Sequence, residues 1–185
     1  MSRLSTFLEQ YPNAEIRGGQ ILAIQQALGD VALPYFANAG LVDIHPDEWY
    51  SMTQYLKVIY DIVDHEPNVM YNLVDMGAKT IENAMLPPEI DSLEKGLMAM
   101  QQGWKMNSRN GKDVIWAAQK IDDHTYICSN YSPFPKDQEY GVLYGFARRF
   151  ANGRHITVSY ENLADRHDPD KEEVRFIVKV EEQTA

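Results

Sequence analysis

A chain of 185 residues, 44% of them hydrophobic, can bury one sizeable core, and its length allows one domain or two small ones. A formal net charge of -10 makes the bare chain repel phosphate backbones and anionic lipid, which argues against nucleic-acid binding and against a membrane-surface role. One cysteine, Cys128, excludes an intrachain disulfide and a cysteine-rich zinc site and suits a reducing cytoplasm.

In chain order, the first segment carries Glu9 where a signal peptide needs an apolar core, and no later stretch is long and apolar enough to span a bilayer. A cytoplasmic protein without a membrane span is therefore expected. Residues 16–39 place Ile21, Ile24, Leu28, Ala32 and Tyr35 at three- and four-residue spacings, with Gly29 and Pro34 marking a break, which predicts two helical pieces. The run His45-Pro46-Asp47-Glu48 offers proline and acids where a helix begins. Trp49, Met52, Tyr55, Leu56, Ile59, Ile62 and Val63 then form an apolar stripe that predicts a helix over 46–64, ending before Pro67. Counting Trp49, Tyr50, Tyr55 and Tyr60, this helix has more aromatic surface than one core-facing side needs, which predicts a homodimer built on the N-terminal helices. Further helices are expected over 68–85, stopped by Pro87-Pro88, and over 89–106, where Ile90, Leu93, Leu97 and Met100 share a side.

The texture then changes. Residues 114–118 and 125–130 are β-branched and aromatic runs separated by an acidic turn, a pattern that predicts a hairpin. Helical spacing returns over 137–151 with Tyr140, Leu143, Tyr144, Ala147 and Phe150, and Asn152-Gly153 ends it with the pair best able to turn left-handed. Alternating strands follow at 155–160 and 174–180 around an acidic loop, 165–173, and 181–185 reads as a frayed tail. The fold class expected is α+β: N-terminal helices packed on an antiparallel sheet of about four strands, with a Gly-x-x-x-Gly helix between two hairpins.

Residues 67–180 carry Leu73-Val-Asp-Met-Gly77, a helix leading through Trp104 into a strand, Asn130 to Pro135, Gly141-x-x-x-Gly145-Phe146, Arg149-Phe150 and Gly153-Arg154. In this order the segment resembles the 4-vinyl reductase domain, a family grouped with haem nitric-oxide sensor domains and the TRAPP tethering subunits. The resemblance implies a single compact domain with a ligand-binding region over 67–185 and a helical extension over 1–66. It also implies a ligand-binding, reductase-accessory or tethering role. Many members bind metal through cysteines before the Gly-x-x-x-Gly helix and in the last hairpin. Here those neighbourhoods hold Phe134-Pro135, Leu163-Ala164 and Val174, which cannot ligate zinc, so no metal site is expected. Haem is not expected either, because the only helical histidine, His65, stands at a polar helix end.

Other candidate features have plainer explanations. Asp61, Asp64 and His65 fit a solvated helix end better than a metal site, and Asp168-x-Asp170-x-Glu172 lacks the glycine and the final glutamate of a calcium loop. Cys128 reads as a small buried hydrophobe, and His155 and His167 as surface histidines. No acid/base pair, nucleophile or dinucleotide loop is visible, so an enzymatic role is not indicated. Aromatic residues concentrate where sheet, loop and Gly-x-x-x-Gly helix should meet. The residues expected to line a mostly apolar pocket are Trp116, Tyr131, Phe134, Tyr140 and Tyr144, with Arg148 or Arg149 at its mouth for an anionic group. The leading expectation is a non-catalytic sensory or ligand-binding domain for a small hydrophobic molecule that uses no cofactor and acts through a partner protein. An accessory subunit of a tetrapyrrole vinyl reductase and a TRAPP-like dimerising tether are the alternatives.

Overall fold

The structure, a computed structural model, describes residues 2–66, 69–82 and 84–181. Its elements in order are α1 (Arg3–Gln10), β1 (Glu15–Arg17), α2 (Gly18–Leu28), α3 (Leu33–Asn38), β2 (Trp49–Ser51), α4 (Met52–His65), α5 (Val69–Glu82), α6 (Leu93–Asn107), β3 (Ser108–Arg109), β4 (Trp116–Lys120), β5 (Thr125–Asn130), α7 (Lys136–Arg149), β6 (Ile156–Tyr160) and β7 (Val174–Val180). Short 3-10 turns at Gly29–Val31 and Leu163–His167 complete the described residues. The fold is α+β, as expected.

The two C-terminal hairpins join edge to edge in an antiparallel sheet of order β4-β5-β7-β6. Cys128 stands opposite Phe176 and Tyr126 opposite Val178 in the β5–β7 register. Burial alternates along β7, so Val174, Phe176, Val178 and Val180 face one side. That side meets α6 and α7 in a core that includes Leu97, Leu143, Phe146 and Phe150. A second core gathers Phe7, Ile21, Phe36, Tyr55, Leu56 and Ile59 from the N-terminal elements, and it is closed by Leu73, Met76 and Phe134 from the C-terminal region. Half-buried Trp104 packs against both cores. The helices laid on the sheet are α6 and α7, α5 runs along α7, and α2 packs on α5, so the N-terminal helices join the sheet through this stack.

Three expectations need correction. The helix over 46–64 starts at Met52, because Ser51 caps it by accepting a hydrogen bond from Gln54 N at 3.3 Å, while Trp49–Ser51 forms strand β2. That strand pairs with β1, which in turn pairs with β3, giving a small sheet of order β2-β1-β3 that the sequence pattern did not announce. The third correction concerns Gly141 and Gly145, which face α5 rather than the sheet. A Cβ on Gly141 would lie 2.1 Å from Val74 O, one on Gly77 would lie 2.1 Å from Gln138 O, and one on Gly145 would lie 2.9 Å from Ala78 O. Glycines on both helices therefore bring two backbones into contact, while Leu143, Phe146 and Ala147 cover the sheet. Asn152 and Gly153 do take positive φ, at 49° and 80°, where α7 ends. Of the expected frayed tail, residues 182–185 lie outside the described residues, and Glu181 pairs with His155 at 2.8 Å.

The aromatic surplus expected of the helix over 46–64, now divided between β2 and α4, is used within the chain. Tyr55 is fully buried, Tyr60 donates to Pro133 O at 2.9 Å, and Trp49 lies between the guanidinium groups of Arg17 and Arg109 at 4.7 and 4.5 Å. Among the described residues no helix is long and apolar enough to cross a membrane.

Candidate functional site

The six residues expected to line a pocket are distributed over three places. Trp116 is buried in the sheet core, tilted against Phe176 with ring centres 6.4 Å apart. Tyr140 belongs to the same core, where it stacks on Tyr160 at 5.8 Å and donates to Val158 O at 3.0 Å. Tyr144 and Arg148 lie on the outer side of α7: Tyr144 is 41% exposed, and Arg148 pairs with Glu82 at 3.2 Å. Arg149 donates to Ile81 O and Ala84 O, at 2.7 and 2.9 Å, and thereby satisfies carbonyls at the end of α5. Tyr131 and Phe134 stay together on the loop between β5 and α7. Phe134 is buried edge-on between Tyr55 at 5.9 Å and Trp104 at 6.1 Å, and Tyr131 carries the Lys112 ammonium over its ring at 5.4 Å.

That loop encloses a buried polar cluster. Asn130 Oδ1 accepts from the backbone N of Ser132 at 3.3 Å, and the single proton of the Ser132 hydroxyl is shared between that oxygen, 3.2 Å away, and Glu139 one turn into α7. Burial pushes the Glu139 carboxyl up to about 7, against the opposing pull of Ser132 and Arg3. Arg3 reaches in from α1 to donate to the carbonyl of Phe134, and its Nη1 has no hydrogen-bond partner. Ser132 and Glu139 are a hydroxyl and carboxylate pair, yet both are sealed from solvent, so they organise the loop rather than offer a nucleophile. Cys128 is likewise inert, because burial pushes its thiol up to about 12.

Beside this cluster a groove of about 350 Å³ opens between the start of α1, Tyr60 of α4, the start of α7 and the turn at 166–169. Its apolar wall is Leu4, Pro135 and Pro169, and its basic groups include Arg3 and Lys136. Lys136 is nine-tenths buried and donates to the carbonyls of Asp165 and Asp168. Burial first, and the nearby Arg3 guanidinium second, hold its ammonium below the ordinary lysine range. Arg166 is committed to Asp137 through two hydrogen bonds at 2.8 and 3.1 Å. A smaller recess of about 110 Å³ lies on the other side of Arg3, with Phe7, Tyr11, Lys112 and Tyr131 in its wall. Arg3, Lys136 and Glu139 were not singled out from the sequence, and Tyr60 was read as interface surface rather than as a groove residue. Arg3 lies 131 residues from the carbonyl it serves, but polar residues on the inward face of α7 were a readable sign.

No family model matches this chain, and no curated protein matches it. Solved structures do, at the level of fold. An H-NOX protein from S. oneidensis in the Fe(II)NO ligation state superposes with a TM-score of 0.65 at 10% identity, covering 90% of this chain and 100% of that one. An oxygen-binding H-NOX domain related to soluble guanylate cyclases, in its oxygen complex, has a TM-score of 0.63 at 16% identity, covering 89% and 93%. A third, solved for the tuning of heme redox potential by porphyrin distortion, has a TM-score of 0.60 at 16% identity, covering 89% and 97%. The chain therefore has the fold of H-NOX domains.

The described residues offer a haem no enclosed histidine or thiolate ligand. The iron needs an axial donor inside a pocket, and all five histidines, His45, His65, His124, His155 and His167, are at the surface. The sole thiol is protonated in the sheet core, and the space between α4, α6 and the loop is filled by Phe134. Among the described residues no three His, Cys, Asp or Glu side chains gather as a metal site.

Proposed function

We propose that this chain is a non-catalytic, small-molecule-binding domain of the sensory kind, cytoplasmic in setting, which takes a largely apolar or aromatic ligand and acts through a partner protein. The observation that carries this reading is the groove beside α1. At about 350 Å³ it falls at the lower end of the sizes, about 300–1,000 Å³, typical of ligand sites, and it joins apolar walls to a few buried polar groups. The H-NOX neighbours, one an Fe(II)NO complex and one an oxygen complex, support a ligand-binding use of the fold. Of the six expected residues, Tyr131 and Phe134 belong to the loop that supports the groove and are the ones proposed to respond to the ligand.

A route for output follows from how α1 is held. Arg3 N donates to Pro169 O at 2.8 Å, the Arg3 side chain to Phe134 O, and Phe7 enters the first core. A ligand lodged among Leu4, Tyr60 and Pro135 touches the same groups, so occupancy shifts the seating of α1 and alters the surface a partner meets. A thermal-shift screen of fatty acids, phenols, aromatic acids and porphyrins tests the reading. A ligand present at a hundred times its Kd should raise Tm by roughly 5–10 °C for a domain of this size. A protein that no compound stabilises, and that native mass spectrometry shows as an empty dimer, would replace the sensory reading with the tethering one. A bound tetrapyrrole would favour the accessory role in vinyl reduction that the 4-vinyl reductase resemblance implies.

A further inference from the structure

We infer that the groove beside α1 is a carboxylate site: Arg3 and Lys136 hold the head of a small organic monoacid, whose apolar body lies along Leu4, Tyr60, Pro135 and Pro169. The inference rests on the ligand-binding reading and adds the chemical class of the ligand. Two cations share this space without forming an ion pair, although Glu139 lies within electrostatic reach of Arg3, and Asp165 and Asp168 within reach of Lys136. Arg166 is neutralised by Asp137, and Lys171 pairs with Asp165 at 3.3 Å, whereas the hydrogen bonds of Lys136 go to two backbone carbonyls, of Asp165 and Asp168, rather than to a carboxylate. Arg3 donates to the Phe134 carbonyl and also bonds the Tyr60 hydroxyl, yet leaves Nη1 unpartnered although the residue is more than nine-tenths buried. A half-satisfied guanidinium removed from water is costly, and an anionic acceptor offsets that cost by charge-assisted hydrogen bonds.

The chain as a whole makes the arrangement conspicuous. With a formal charge of -10 it has acids to spare, yet Arg3 and Lys136 stand close enough for one to disfavour the charge on the other. An anion between them converts repulsion into two attractions. A monoacid suits the site better than a phosphate. The walls are chiefly aliphatic, proline and phenol surface, and the nearby Asp168 carboxylate opposes a second negative charge.

The probes are benzoate and octanoate, each compared with its neutral amide and with inorganic phosphate, titrated into the full chain by calorimetry. At least one acid should bind, about 10- to 100-fold more tightly than its amide and than phosphate, as loss of a charge-assisted contact implies. Lys136→Met should weaken it to the level of the amide, while Arg3→Lys, which keeps a cation, should keep most of the affinity. If Lys136→Met does not fold, amide-proton shifts in the wild-type protein give the answer. They should cluster at Leu4, Tyr60, Lys136 and the 166–169 turn with the acid and not with the amide. Equal binding of acid and amide, phosphate binding as tightly as the acid, or shifts elsewhere would overturn the carboxylate assignment. A neutral hit from the wider screen would do the same while leaving the ligand-binding reading standing, whereas silence in both experiments would remove both.

Discussion

A single carboxyl group carries much of the chemistry of this interior. Glu139 is sealed beneath the loop with Ser132 and Asn130 against it, and burial raises it to about 7. The folded protein therefore keeps a proton that the unfolded chain gives up near pH 4.3. The stabilisation associated with that proton is present below the unfolded value and is lost as pH rises through about 7, the reverse of the usual carboxylate. Between pH 5.5 and 8.5 the group should account for about 2 kcal/mol of lost stability. Urea unfolding at the two pH values should show that loss in the wild type and a markedly flatter dependence in Glu139→Gln. An identical slope in both proteins would mean that Glu139 titrates as an ordinary surface acid. At the same scale Phe134 shows how one side chain decides what the fold can hold, since its ring fills the space between Tyr55 and Trp104 that a larger planar group would need.

Among the elements, α5 and α7 form the closest pair, and glycine is the reason. A methyl group on Gly141 meets the Val74 carbonyl at 2.1 Å, a contact that only separation of the two helices relieves. Gly141→Ala should thus cost about 1–3 kcal/mol, or somewhat more, by overpacking. Gly145→Leu should fall in the same range, because its Cβ would already stand 2.9 Å from Ala78 O. Gly103, inside α6, has nothing within 4 Å of an added Cβ, and Gly103→Ala should raise stability by about 0.5–1 kcal/mol through helix propensity alone. Chemical denaturation of these variants separates the roles: a tolerated Gly141→Ala would show that the helices can slide apart freely. The difference matters for function, because α7 also carries Lys136 and Glu139 and so fixes one wall of the groove.

For the molecule as a whole, the fold and the residues that occupy it point in different directions. The fold is that of H-NOX domains, yet the histidines are outside and an aromatic residue occupies the interior. Purified protein should accordingly contain no stoichiometric iron or zinc, keep its Tm in the presence of a chelator, and show no saturable one-to-one Soret band when titrated with hemin. A stoichiometric complex with a defined axial ligand would require Phe134 to leave its place. Light scattering at micromolar concentration decides the assembly state, for which the aromatic residues of β2 and α4 are already engaged within one chain.

The α+β class, the two hairpins, the ends of β5, β7 and α7 within a residue or two, and the left-handed Asn152-Gly153 stop were all legible in the amino-acid order. Each depends on periodicity or on a local backbone preference, and both act over a few residues. The same local signals exposed the Gly-x-x-x-Gly helix but not its partner, because a small face suits a helix as well as a sheet and only Gly77 on α5 chooses between them. They also grouped six aromatic and basic residues that the fold distributes over strand β4, two faces of α7 and one loop. The groove itself was beyond local reading. Arg3, Tyr60, Lys136 and the 166–169 turn are far apart in sequence, and their meeting depends on how α1 crosses the loop, which is settled by packing of distant segments.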